Sequence, residues 1–429
     1  MIFFQILIGI FITNLLMGQV LMPPVSPNDS FGYEPLAVEK NCFQYFNDTA
    51  TGVDATNTFL LAKMVELMYL ERLDYQLRYL SNDRKPVDSI ASSDWIKKNC
   101  RVHDNNFEKV YAQRFAHYFG GKTILYGDGV RKDWHPKDDE VVFRYIHKVY
   151  KAPARFLGYQ YEQALDPELM VISTKDVILI LFRGTDDVGS NEWSEWTGTD
   201  FRIHQMNSGG ALVGTKIHTG FWLSFDFIRD ELIKTLTVLD ADKKKIWTAG
   251  HSLGGALSVV TGTYLKAAGL NVQNVYSYAG PRTIGNKAFI KKANDLLQNR
   301  IQRFEYFQDP VTLLWAPGFG YEHVGQRNWY DEAEKGQYQL YTSTHERVLF
   351  SGGLNRYPNI KHEDKKEARR IKRNQMNGIT FIGPSMLHYH NPQWYVKAAY
   401  QQLSEEEKAR LPLVDDSYPY LYFFLEGTK

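Results

Sequence analysis

A serine hydroxyl attacks an acyl carbonyl only when a base takes its proton, an acid orients that base, and donors stabilise the oxyanion. The heptapeptide Ala249-Gly250-His251-Ser252-Leu253-Gly254-Gly255 offers the first part. It is a G-x-S-x-G serine between a β-prone run, Ile246-Trp247-Thr248, and a helix-prone run. In the latter, Leu253, Leu257, Val260, Tyr264 and Ala267 recur at helical spacing, and Gly269 can close the helix. A strand–turn–helix forces such a serine into a sharp, strained turn, with its hydroxyl raised above the sheet edge. Flanking glycines remove the bulk that so tight a turn excludes. The pattern alone also fits a plain turn serine; the strand before it and the glycine-rich helix start after it favour a nucleophile.

Among hydrolases of this strand–turn–helix type the acid and then the histidine follow the serine in the chain. Asp309, in Phe307-Gln308-Asp309-Pro310-Val311, directly follows a β-prone run from Ile301 to Phe307. A loop carboxylate at a strand C-terminus sits on the ligand-binding edge of an open α/β sheet; an ordinary Asp-Pro turn is the alternative. Two histidines lie further on, in Leu387-His388-Tyr389-His390-Asn391-Pro392. In extended chain, positions two apart point the same way, so spacing does not separate His388 from His390. His218 precedes the serine and His323 lies close after Asp309, so both read as structural histidines.

The elements that must hold these groups are legible from periodicity. Asn57 to Leu80 reads as an amphipathic helix with Leu60, Met64, Leu67, Leu70, Leu73, Leu77 and Leu80 on one face, a packing element. Strands follow at Phe156 to Tyr159 and Leu169 to Ser173, either side of an Asp166-Pro167 turn, and at Asp176 to Phe182, an apolar run of the buried type. Helices over Phe225–Leu239, Leu253–Ala268 and Lys287–Leu297 then alternate with strands at Ile246–Thr248, Val275–Ala279 and Ile301–Phe307, and Pro392–Leu403 is a last helix. Such alternation predicts an α/β class with a mainly parallel, doubly wound central sheet flanked by helices.

The chain has 429 residues, 44% hydrophobic, with a formal net charge of +1. Nothing in that balance indicates nucleic acid as a partner. Ile2 to Met17 is an apolar run followed by Gly18, so residues 1–18 read as a secretory signal peptide, although no Lys or Arg precedes Lys40. A retained anchor is the competing reading, for which the run is short. The Pro-rich stretch 19–41 reads as a linker, and 42–429 as one domain with a charged insertion at about 331–378. Within it, Lys361 to Arg373 is a solvated face or, alternatively, a contact with anionic lipid. Cys42 and Cys100 fit one disulfide of an exported protein; joined, they would close a loop worth roughly 4 kcal/mol. Two buried thiols are the other possibility.

Taken together, the motifs resemble the class 3 lipases, the fungal-type branch of the α/β-hydrolases. Phe182-Arg183-Gly184-Thr185 resembles the family's oxyanion loop, Ile217-His218-Thr219-Gly220-Phe221 its His-x-Gly-Phe segment, and Gly250 to Gly255 its nucleophile elbow. Tyr278 to Asn286 resembles its Gly-x-Pro-Arg-x-Gly-Asn segment, with Ala279 at the first glycine and one extra residue before Gly285. Asp309-Pro310-Val311 and Tyr321-Glu322-His323 resemble the acid loop and its downstream Tyr-x-His, and the likeness runs from about Asn57 to Tyr395.

The resemblance implies Ser252 as nucleophile, Asp309 as orienting acid, and Thr185 with the Leu253 N–H as the oxyanion hole. Family members place the histidine just before a C-terminal helix, which favours His390 over His388. The segment Val188 to Asp200, with Trp193 and Trp196, would be the lid; it departs from the family's Trp-x-x-Asp by one position. The implied activity is an exported serine esterase acting on acyl esters of glycerolipids through an acyl-enzyme, possessing no metal or organic cofactor and no stable partner. A phospholipase A1 or galactolipase is the alternative within the family, and an inactive lipid-binding homologue the alternative outside enzymes.

Overall fold

The computed structural model describes residues 41–69, 108, 111–112, 115–116, 118–128, 130, 137–156, 159–184, 204–282, 284–306, 309, 311–313, 321–334, 337–343, 390 and 392–411. The leader, most of the linker, Cys100, Thr185, the lid segment, Lys361 to Arg373 and His388 all lie outside the described residues.

Among the described residues the strands are β1 (Lys122–Leu125), β2 (Glu140–His147), β3 (Tyr150–Phe156), β4 (Tyr159–Leu165), β5 (Glu168–Ser173), β6 (Val177–Phe182), β7 (Gln205–Asn207), β8 (Lys216–His218), β9 (Lys245–His251), β10 (Val272–Tyr278), β11 (Ile301–Tyr306), β12 (Gln326–Glu334) and β13 (Gln337–Ser343). The α-helices are α1 (Ala55–Leu67), α2 (Thr219–Val238), α3 (Leu253–Ala267), α4 (Lys287–Leu297), α5 (Pro392–Gln401) and α6 (Glu405–Arg410).

One sheet runs in the order β1-β2-β5-β6-β9-β10-β11-β12-β13. It is parallel from β6 through β12 and antiparallel across β2-β5-β6 and at β12-β13. The central strands are covered on both faces, which is why they read as near-continuous apolar runs. Along β6, Val177, Leu179 and Leu181 belong to one buried cluster, and Ile178, Ile180 and Phe182 to the other. α2, α3 and α4 cover the second face, and α1 with α5 covers the first. The parallel, doubly covered sheet is thus the expected α/β architecture.

Caps set the helix starts. Asp54 accepts from the Asn57 N–H ahead of α1, and Asn286 from the Phe289 N–H ahead of α4. Ser404 and Glu407 form a reciprocal capping box on α6.

Several boundaries differ from those expected on periodicity. α2 begins at Thr219, six positions earlier than Phe225, directly after β8. β9 continues to His251. α1 begins at Ala55 and its last helical residue is Leu67; Leu70 to Leu80 lie outside the described residues. The stretch read as an insertion from residue 331 opens as sheet, since residues 331–334 end β12 and β13 pairs back on it. Among the described residues, no helix is long and apolar enough to cross a membrane.

Candidate active site

Ser252 sits between the end of β9 and the start of α3 with φ 59° and ψ −125°. A non-glycine residue there is strained by on the order of 1–3 kcal/mol and persists only when its surroundings fix it. Here they do. Its N–H donates to the Tyr278 carbonyl at 2.9 Å, and its own carbonyl accepts from the Gly255 N–H at 2.9 Å. The flanking glycines are dictated by close approach: a Cβ on Gly250 would lie 2.1 Å from the Gly254 carbonyl oxygen, and one on Gly254 2.5 Å from that of Phe182. The first turn of α3 therefore lies directly on β6 and β9, and the Leu253 N–H stands at a helix N-terminus, where donors and dipole favour negative charge.

A carboxylate arrives from the next strand but one. Asp309 follows β11 and is fully buried. Its N–H donates to the Tyr306 carbonyl at 2.8 Å, while its Oδ1 accepts from the Val311 N–H at 2.9 Å. An imidazole comes from far along the chain. His390 Nδ1 lies 2.9 Å from Asp309 Oδ2, and its Nε2 2.7 Å from Ser252 Oγ. Since a carboxylate only accepts, this arrangement puts the ring proton on Nδ1 and leaves Nε2 to accept from the serine hydroxyl. Three residues that the sequence spreads over 138 positions thus meet in one hydrogen-bonded line.

Two tyrosines and a histidine, none of them given a site role on sequence grounds, complete the surroundings. Tyr395 of α5 donates to Asp309 Oδ2 at 2.6 Å and accepts from the Tyr306 N–H at 3.1 Å. Burial first, and then the charge of Asp309, push its phenol well above the ordinary tyrosine range, so it remains a donor. His251 packs its ring 4.7 Å from that of His390. Burial, followed by the proximity of His390, holds its pKa well below the usual histidine value. Tyr69, just past α1, bonds His251 Nδ1 at 2.9 Å. For Tyr69 and Tyr395 the sequence offered an aromatic within a run of helical spacing, which ordinarily means packing.

The strand leading to the expected oxyanion loop is anchored by charge. Arg183 meets Glu168 at 2.5 Å, and Tyr145 donates to the other oxygen of Glu168 at 2.7 Å. His147 meets Asp166 at 2.5 Å beside them. His147, Asp166 and Glu168 bring three possible metal-ligand atoms within 4.8 Å of one another. Arg183 and Tyr145 already occupy Glu168, so the group works as an ion-paired anchor. Of the other predicted site residues, Thr185 lies outside the described residues, as does the competing His388.

His218 is buried with its ring 4.2 Å from Phe221. His323 is buried near Glu305, Arg303, Arg282 and Arg327; burial, then those arginines, hold its pKa well below the usual value. It is the ring of His390, and not of either of these, that meets Ser252 and Asp309. Ala279 takes φ 53° where the resembling motif has glycine, so this chain accepts strain at that turn.

The parallel sheet, the strained serine between β9 and α3, and the carboxylate after β11 define an α/β-hydrolase. Residues 179–318 match the family described as Lipase (class 3). The matched segment includes Ser252 and Asp309 but not His390, Tyr395 or Tyr69, and is shorter than the stretch from Asn57 to Tyr395 over which the motifs were read.

The secreted mono- and diacylglycerol lipase A of Penicillium cyclopium is 31% identical over 163 residues, 38% of this chain and 50% of that one. A lipase of Rhizomucor miehei is 33% identical over 139 residues, 30% of this chain and 37% of that one. The chloroplastic phospholipase A1-Ialpha2 of Arabidopsis thaliana is 27% identical over 184 residues, 38% of this chain and 37% of that one. The chain spans half or less of the length of these relatives.

Proposed function

We propose that this protein is a lipase-type carboxylic ester hydrolase with Ser252 as nucleophile, His390 as base and Asp309 as the acid that orients it. The observation that carries the reading is the line Ser252 Oγ–His390–Asp309, at 2.7 and 2.9 Å, with its serine on a strained turn. Ser252 Oγ attacks the acyl carbon as its proton passes to His390 Nε2. The oxyanion is received by the Leu253 N–H and by Thr185. Collapse expels the alcohol, which takes the proton back from His390, and leaves an acyl-serine. Water, deprotonated by the same nitrogen, then releases the fatty acid and restores the hydroxyl. Asp309 holds the ring in its Nδ1–H tautomer and stabilises the imidazolium formed in each half-reaction.

Glycerolipid esters are the proposed substrates, and export the proposed destination, on the strength of relatives named as secreted mono- and diacylglycerol lipases. The phospholipase A1 relative supports a second reading in which the ester belongs to a phospholipid. A fluorophosphonate probe tests the chemistry: the protein should label, and Ser252→Ala should abolish both labelling and ester turnover. A protein that neither labels nor hydrolyses any acyl ester would instead be an inactive lipid-binding homologue. Rates on diacylglycerol and phosphatidylglycerol monolayers then separate the two substrate readings.

A further inference from the structure

We infer that Tyr69 is a positioning residue that fixes the oxyanion side of the site by joining Gly184 to His251 through its phenol hydroxyl; this rests on the proposed ester hydrolase chemistry. Tyr69 lies just past the N-terminal helix α1, far outside the segment that matches the family. Its hydroxyl accepts from the Gly184 N–H at 3.0 Å. The phenol proton is donated in turn to His251 Nδ1, 2.9 Å away.

The direction of that bond follows the tautomer of His251. Burial, then the neighbouring His390, disfavour its protonated form. A neutral imidazole has one acceptor nitrogen; in the arrangement we infer it is Nδ1, facing the Tyr69 hydroxyl, and the ring proton is on Nε2. The chain of bonds therefore runs Gly184 N–H to Tyr69 O–H to His251 Nδ1, each donor used in one sense.

The ends of that chain are the two parts whose separation an oxyanion hole must hold. Gly184 is the residue before Thr185, and His251 is the residue before Ser252. The packing leaves no slack: a Cβ on Gly184 would lie 2.3 Å from the Tyr69 hydroxyl, 2.6 Å from the His251 carbonyl oxygen and 3.0 Å from Ser252 Cβ. Donors for a developing oxyanion act only when held within about 0.5 Å of their working position. Removing the hydroxyl leaves the Gly184 N–H without this acceptor beside the loop, and lets β6 and the elbow move apart. The loss falls on the transition state, because the ground-state ester makes no demand on that spacing.

Tyr69→Phe should lower kcat for a soluble acyl ester about tenfold or more with KM unchanged within about twofold. The affinity of an alkyl boronate, whose tetrahedral oxygen takes the oxyanion position, should fall by a similar factor. A Tyr69→Phe variant with unchanged kcat and unchanged boronate affinity would overturn the inference, even if its Tm dropped. Failure of the underlying reading looks different: the unsubstituted protein would not turn over esters at all, and Ser252→Ala would change nothing. In case the phenylalanine variant does not fold, 15N NMR of the imidazole of His251 in the unsubstituted protein is decisive. The Nε2–H tautomer is expected, and an Nδ1–H tautomer would refute the bond from Tyr69.

Discussion

Against α2, α3 and α4 the sheet buries mostly aliphatic side chains, among them Ile178, Ile180, Val275 and Ile301. Against α1 and α5 it buries rings: Phe143, Trp247, Tyr276, Tyr278, Phe304, Tyr306 and Tyr330. The same strands supply both faces by alternation, so the difference reflects what each face has to do. The aliphatic face needs only shape, and it seats the first turn of α3 and hence the serine. The aromatic face must also tie down chain segments distant in sequence, and a buried phenol is both a large apolar body and a directed hydrogen bond. Tyr276 donates to the Gly52 carbonyl at 2.8 Å, Tyr278 to that of Thr58 at 2.7 Å, and Tyr395 to Asp309. The serine is thus held by backbone on one face, and the carboxylate of Asp309 by a phenol from the other.

The largest expected break in that division is at the acid. Asp309→Asn keeps the volume but lets the ring of His390 take the wrong tautomer, so kcat should fall on the order of 10⁴-fold while the fold persists. Ester turnover with circular dichroism checks this; a loss below tenfold would remove Asp309 from its role.

Next comes the charge buried on the aliphatic side. Glu305, fully buried, accepts from Arg327 Nε at 2.9 Å and pairs with Arg303. Glu305→Ala strands those cations and should destabilise the protein by about 3–5 kcal/mol in denaturant unfolding. A change under about 1 kcal/mol would mean the arginines are compensated elsewhere.

A smaller effect is expected at the phenol that spans strand and acid. Tyr395→Phe takes a donor from Asp309 and an acceptor from the Tyr306 N–H, for a stability loss of about 1–3 kcal/mol and a drop in kcat of about tenfold. Equal thermal midpoints for the two proteins would show that the hydroxyl is incidental.

The smallest effect sharpens the comparison through pH, since each face buries one histidine with a depressed pKa, His251 on the aromatic side and His323 on the other. Above the ordinary value of 6.5 both are neutral whether folded or unfolded, and contribute nothing. Below it the unfolded chain takes up protons that the folded chain refuses, so stability falls with pH, by up to about 1.4 kcal/mol per unit for each ring. Urea midpoints at pH 7 and 5.5 test the sign, and His323→Gln should remove part of the slope. His147 acts oppositely: burial lowers its pKa, but Asp166 and Glu168 outweigh burial and raise it, so its stabilisation is complete below 6.5 and fades as pH rises through the raised value.

Much of the central frame was legible from sequence. β6 was placed within a residue, and α3 and α4 nearly residue for residue, because buried runs, helical spacing and caps act over one or two turns. β1, β2, β12 and β13 were not anticipated. β2 carries Glu140 and Arg144 among its apolar residues, and these find partners only across the fold, Lys122 for one and Glu108 and Glu231 for the other.

The turn at Ser252 and the carboxylate after β11 were written in the order of residues, since strand, glycine and helix signals are local and their geometry follows from backbone sterics. Which imidazole reaches that serine, which phenol holds the acid, and that a residue beyond α1 touches the elbow emerged only once the chain was packed. Those are hydrogen bonds across 138, 86 and 182 positions of chain. Their direction and length depend on how two faces of one sheet are packed, and no short-range pattern encodes that.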